Sequence, residues 1–334
     1  MNSLHFHNLA QTFLRDLFID LSQHSVILEP HWDIDHICYR AQTLENYENL
    51  KRSFSEIGVL LIESEVNGRL ISTYKLQRPI IFEQWRIDLV ELPAPKIGKV
   101  TQEGLEHIEV VIDKPFSELI NQYRDLPLEI KGLEKDYNQE LEINLGLRNI
   151  KFHHSSLASV INLEKNERVW KALQKSRVLN SLKEYQPLVA GTFPLGVHTD
   201  ESDLDLLIQI QDHDSLEKIL TSHFKSFDEF EISRSFVDGL ETTVCRFTLD
   251  GVPFEIFGQD RNPVSQKAYM HFQVEEQLLK YGGEEFLRRV QELRATGEKT
   301  EPAFAKALGL EGDPYHALLN QNAKDLINGT GRFL

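Results

Sequence analysis

Apolar positions recur at helical spacing over residues 4–24, where Leu4, Leu9, Phe13, Leu14, Leu17 and Leu21 fall on one face. The next segment, DIDHICYR (33–40), alternates as a strand does. Thr43 is placed to cap a helix running from Leu44 to about Ile57. VLLIESEV and RLISTYKL then flank Asn67-Gly68, a pair that reaches positive φ easily and is the strongest short hairpin signal. WRIDLVEL (85–92) predicts one more strand, stopped by Pro93 and Pro95.

The same order then begins again. LEHIEVVID (105–113) predicts a strand, and PFSELINQYRDL a helix with Pro115 near its start. LEINLG, IKFHHSS and ASVINLE predict strands up to about residue 164. Strand, helix and about three strands thus occur twice within 33–165, a repetition of pattern rather than of residue identity. KNERVWKALQKSRVLNSLKEY is charged and helical, so a boundary is expected near residue 166, giving domains 1–165 and 166–334. Beyond it, strands are expected at LVAGTFPLG, DLDLLIQI, FEISRSFV, ETTVCRFTLD and VPFEIFG. Helices are expected at HDSLEKILTSHF, 264–281 and 284–295, with short helices and loops from Glu301 onward. The fold class is α+β.

Composition narrows the function classes. No apolar run approaches the roughly 20 residues that cross a bilayer, and the N-terminus lacks the basic-then-apolar layout of a signal peptide. Cys38 and Cys245 are the only cysteines, which excludes a disulfide framework or a cysteine-rich zinc site and favours the cytoplasm. A net charge of -16 disfavours long nucleic acid as a partner and suits sites that gather divalent cations.

The C-terminal chemistry starts from Asp203 and Asp205, two apart on a strand and hence on one face. Such a pair is costly unless cations lie between its members, and it matches the oxygen-ligand demand of Mg²⁺. Glu255, flanked by Phe254 and Ile256, supplies a third acid for a phosphoryl-transfer clamp. Upstream, Gly191, Thr192 and Gly196 suit close approach to phosphate oxygens. The stretch AGTFPLGVHTDESDLDLLIQ resembles the core signature of the polymerase-beta-like nucleotidyltransferase superfamily. Together with NPVSQKAYMHF (262–272), it is similar to a small bacterial family within it. The resemblance covers about residues 167–334. It implies catalytic Asp203, Asp205 and Glu255, nucleotide contacts from Gly191, Thr192, Gly196, Ser202 and Lys267, bound Mg²⁺, a nucleoside triphosphate and an unidentified acceptor. Thr192 departs from the usual serine. Tyr269 and His271 read as packing residues, and Arg234 and Arg246 as phosphate partners or surface ion pairs.

In the N-terminal half, His36 and His107 occupy corresponding strands, Glu91 ends the last strand of the first unit, and Glu164 ends that of the second. Imidazole with carboxylate suits a divalent transition metal. Paired βαβββ units of this kind resemble the vicinal oxygen chelate superfamily, and residues 1–165 resemble its YecM-like branch. The resemblance implies metal ligands His36, Glu91, His107 and Glu164, with His153 or His154 as alternatives to the last. Three functions remain open. The chain is a Mg²⁺-dependent nucleotidyltransferase, a non-catalytic binder of metal and nucleotide, or an isomerase or dioxygenase acting at the N-terminal metal.

Overall fold

The computed structural model describes residues 2–96, 98, 102–320 and 322–331. It consists of two units, Met1–Leu157 and Ala158–Leu334.

The first unit opens with α1 (Ser3–Gln23), capped by Asn2, whose side chain accepts the His5 N–H at 2.9 Å. Its buried face is Phe6, Ala10, Phe13, Leu14, Leu17 and Leu21. Leu4 is exposed and Leu9 only partly buried, because the true apolar stripe runs through Phe6 and Ala10. β1 (Asp33–Arg40) leads to α2 (Leu44–Ser55), where the Thr43 hydroxyl accepts the Asn46 N–H at 3.0 Å. β2 (Gly58–Val66) and β3 (Arg69–Phe82) form the expected hairpin; Asn67 and Gly68 take φ 52° and 74°, as a two-residue turn of this hand requires. β4 (Trp85–Pro93) completes the first half.

The second half runs β5 (Gly104–Val111), α3 (Phe116–Gln122), β6 (Leu128–Glu129), β7 (Glu140–Asn144) and β8 (Asn149–His153). All eight strands form one sheet in the order β2-β3-β4-β1-β5-β8-β7-β6. β1 and β5 pair antiparallel at its centre, and each has the last strand of its own half parallel on the outside. Two βαβββ halves therefore lie side by side about a local twofold. The helices cover one face of a core that includes Phe6, Trp32, Phe54 and Phe152.

Residues 158–164 are not a strand. They lie in α4 (Leu157–Lys165), which belongs to the second unit, so the division falls eight residues before the expected boundary at 165/166. β6, β7 and β8 already supply the three strands that the second half needs. The helix is tied to its own unit, where the Asn162 amide donates to the Pro194 carbonyl at 2.8 Å.

After α5 (Glu167–Ser176) and α6 (Val178–Ser181) come β9 (Leu188–Ala190), α7 (Thr192–Leu195), β10 (Leu204–Gln209) and α8 (His213–Phe224). β11 (Asp228–Val237), β12 (Leu240–Leu249) and β13 (Val252–Gln259) follow. The five strands form a mixed sheet, β11-β12-β13-β10-β9, in which β10 and β13 are parallel. A helical tail closes the unit: α9 (Lys267–Ala295), α10 (Thr300–Leu308), α11 (Pro314–Leu319) and α12 (Ala323–Thr330). The two helices expected over 264–281 and 284–295 are present within α9, parted at Gly283, whose φ of 64° and ψ of -159° are not helical. Among the described residues no helix is long and apolar enough to cross a membrane.

Candidate nucleotide and metal sites

In the C-terminal unit the sheet register assembles the acids. β10 pairs with β13 so that Asp205 lies opposite Glu255, and with β9 so that Asp205 lies opposite Ala190. Asp203 precedes Asp205 by two residues on the same face. The three carboxylates present ligand atoms within 4.8 Å of one another. Leu204, Leu206 and Ile208 point the other way into the core. Burial, with Asp203, Glu255 and Glu301 nearby, raises the Asp205 carboxyl well above its usual range. Arg246, on the neighbouring β12, is paired with Glu255.

Gly191 turns the chain out of β9 with φ 80°. A Cβ there would meet Asp205 Oδ2 at 1.9 Å, so glycine is required for the carboxylate to reach its place. Thr192 is buried at the start of α7, and Gly196 closes that helix with φ 72°. Two residues expected to touch nucleotide have other work. The buried Ser202 hydroxyl accepts the Thr199 N–H at 2.9 Å and shapes the turn before Asp203. Lys267 is paired with Asp238 at 2.5 Å. Arg234 is likewise taken up by Asp214, Glu217 and Glu241. Gln266 serves the fold, its amide donating to the Ile208 and Arg261 carbonyls.

The N-terminal cluster lies on the central strands. His36 and Asp35 are on β1, His107, Glu106 and Glu109 on β5, Lys151 and His153 on β8, and Glu91 on β4. Short sequences repeat here, DHIC (35–38) and EHIE (106–109), and in each the histidine donates through Nδ1 to the acid before it, at 2.8 and 3.0 Å. The expected quartet His36, Glu91, His107 and Glu164 does not form. His107 spends both nitrogens, on Glu106 and on Glu109 Oε1 at 3.1 Å. Glu164 sits on α4 of the other unit. The twofold mate of Glu91, which lies opposite Cys38, is Lys151, which lies opposite Glu109. Lys151 reaches Glu109 and Glu140, each at 3.4 Å.

Glu109 is the hub. Burial opposes its ionisation, yet Lys151, His36 and His107 outweigh burial and hold it well below the usual carboxylate range. For His36, burial opposes charge, while Glu109 and Asp35 outweigh it and raise the imidazole well above its usual value. Sequence reasoning missed Asp35, Glu109 and Lys151. The repeated acid-His-Ile motif was the available signal for Asp35.

Against known proteins, the YecM protein family matches residues 4–164. Protein YecM of Escherichia coli is 31% identical over 147 residues, 40% of this chain and 78% of that protein. The chain belongs to the YecM family. An uncharacterised protein of Haemophilus influenzae is 33% identical to this YecM-family chain over 118 residues, 35% of the chain, which spans 58% of that relative's length. Outside the YecM region, residues 171–321 match a domain of unknown function (DUF4269). Among solved structures, Protein EC4020 has a TM-score of 0.41 at 29% identity, over 47% of this chain and 89% of that one. The Cid1 poly(U) polymerase with MgGTP bound has a TM-score of 0.32 at 15% identity, over 43% of this chain and 49% of that one.

Proposed function

We propose that the C-terminal unit transfers a nucleotidyl group from a nucleoside triphosphate to an acceptor hydroxyl. The observation that carries this reading is the convergence of Asp203, Asp205 and Glu255 within 4.8 Å, beside a glycine turn shaped to admit Asp205. The donor set is all carboxylate oxygen, which suits Mg²⁺, and burial with Asp203, Glu255 and Glu301 nearby raises Asp205, which an added cation would oppose. Mg²⁺, when bound, would neutralise triphosphate charge and charge developing on the leaving group. Asp203 and Asp205 would hold it, while Glu255, anchored by Arg246, fixes the third corner. The Gly191 turn lets the Asp205 carboxylate lie against the backbone that leads into α7. Transfer joins an acceptor oxygen to the α-phosphorus and releases pyrophosphate.

Thermal unfolding with each nucleoside triphosphate, with and without Mg²⁺, tests the proposal. A ligand at a hundred times its dissociation constant stabilises by about 2.7 kcal/mol. A Mg²⁺-dependent rise in Tm that Asp203→Asn/Asp205→Asn abolishes is expected, followed by pyrophosphate release when an acceptor is supplied. No rise with any triphosphate overturns the reading.

A further inference from the structure

In the first half of α9, His271 and Glu275 stand one turn apart and so share a side of the helix. Both are almost fully buried, at 5% and 3% exposure. Among the described residues His271 Nδ1 and Glu275 Oε1 have no hydrogen-bond partner. Folded proteins rarely leave buried polar atoms so, because each has given up its water for nothing. Glu301, half-buried in the first turn of α10, adds a second carboxylate. Among the described residues neither Glu275 nor Glu301 takes part in an ion pair.

These groups lie together and adjoin the acids of the sheet. Tyr315, on α11 and 40% exposed, meets the His271 ring edge-on with 5.7 Å between centroids. The charge of Glu301 acts on His271, Glu275 and Tyr315, and also on Asp205. Burial raises Glu275 well above the usual carboxylate range; Glu301 adds to this and Arg294 opposes it. Arg294 is itself bonded to the Val197 and Glu298 carbonyls. Burial keeps the His271 imidazole neutral by lowering it. The cluster is therefore short of both positive charge and N–H donors.

A metal ion fits this need poorly. Among the described residues no three of these side chains bring ligand atoms within 4.8 Å of one another, as Asp203, Asp205 and Glu255 do. An ammonium group fits it well. It carries one positive charge and three N–H donors, for which Glu275, Glu301 and the neutral His271 offer acceptors. The exposed Tyr315 ring offers a face that attracts a cation. We infer that His271, Glu275, Glu301 and Tyr315 hold the ammonium group of the acceptor, which is a small amino alcohol or amino sugar. The assignment rests on nucleotidyl transfer at Asp203 and Asp205. The amine anchors the acceptor and is not consumed. A hydroxyl oxygen of the same molecule bonds to the α-phosphorus and its proton passes to water. The bond from the α-phosphorus to its bridging oxygen breaks, and pyrophosphate leaves. A net charge of -16 draws a cationic acceptor in the same direction.

Thermal unfolding of the full chain with glucosamine, ethanolamine or serinol tests this, each set beside its hydroxyl counterpart, glucose, ethylene glycol or glycerol. An amine is expected to raise Tm where its counterpart does not, and label from an α-labelled triphosphate should pass to that amine alone. Glu301→Gln and Glu275→Gln should each weaken the amine about tenfold or more, the loss of one hydrogen bond to a charged group. Glu301 is only half-buried, so its variant and the comparison of counterparts still decide the matter where Glu275→Gln fails to fold. Counterparts that bind as tightly as the amines overturn the inference. So does a Mg²⁺-triphosphate shift with no amine shift, which leaves nucleotidyl transfer standing. Amine binding without label transfer, in a chain that binds triphosphate, overturns the acceptor role. An amine shift with no triphosphate shift instead overturns nucleotidyl transfer, and the acceptor role with it.

Discussion

Glu109 and Asp205 are both carboxylates on central strands, yet their surroundings push them in opposite directions. Glu109 is ringed by His36, His107, Lys151 and His153 and is held well below its usual range. Asp205, beyond its own burial, has Asp203, Glu255 and Glu301 around it and is held well above. The first is a site that has largely met its charge with residues of the chain. The second gathers negative charge, which the proposed Mg²⁺ would offset. Burial alone therefore says little about what a carboxylate is for; the sign of its neighbours says more.

Removing the built-in cation should have the largest effect. Lys151→Met leaves the buried Glu109 without its lysine, while the half-buried Glu140 keeps Lys135 at 2.7 Å, and breaking a buried pair from one side costs about 3–5 kcal/mol. Urea unfolding in the presence of chelator reads it. A loss under about 1 kcal/mol would mean that the histidines alone satisfy Glu109. In the C-terminal unit, Gly191→Ala places a methyl on Asp205 at a φ of 80°. Strain of about 1–3 kcal/mol follows, and the Mg²⁺-triphosphate Tm shift should vanish with it. An alanine variant that keeps the shift would separate the turn from the nucleotide.

How far the sequence foretold all this differs between the two sites for a physical reason. The Asp-x-Asp spacing and the Gly191 turn are local features, so Asp203, Asp205 and Gly191 were readable directly, and Glu255 followed from the cost of an acid between Phe254 and Ile256. The N-terminal cluster is made by pairing across β1, β5 and β8. Register decides whether Glu109 faces His36, and spacing along the chain does not reveal register. ASVINLE looked like a strand because Val160 and Ile161 favour one, and that misreading carried Glu164 into the ligand set. Ser202 and Lys267 each have a partner within the chain, the Thr199 N–H and Asp238.

The smallest effect is the one that tests the sign of the comparison. In unfolded chain Asp205 ionises near 3.9; in the folded unit its value is raised. Between the two, the unfolded state has lost the proton that the folded state keeps, so folding binds a proton and stability falls as pH rises. The contribution is complete below about 3.9 and is gone once pH passes the folded value. A single group gives at most about 1.4 kcal/mol per pH unit. Asp205→Asn should remove this slope, and Mg²⁺ should do the same to the wild type by favouring the ionised folded form. Because Glu275 is also buried and raised, the reading is the difference between wild type and variant, measured by chemical unfolding across the acid range with and without Mg²⁺. Identical slopes in both proteins would mean that Asp205 meets no net repulsion, and the contrast with Glu109 would then reduce to burial.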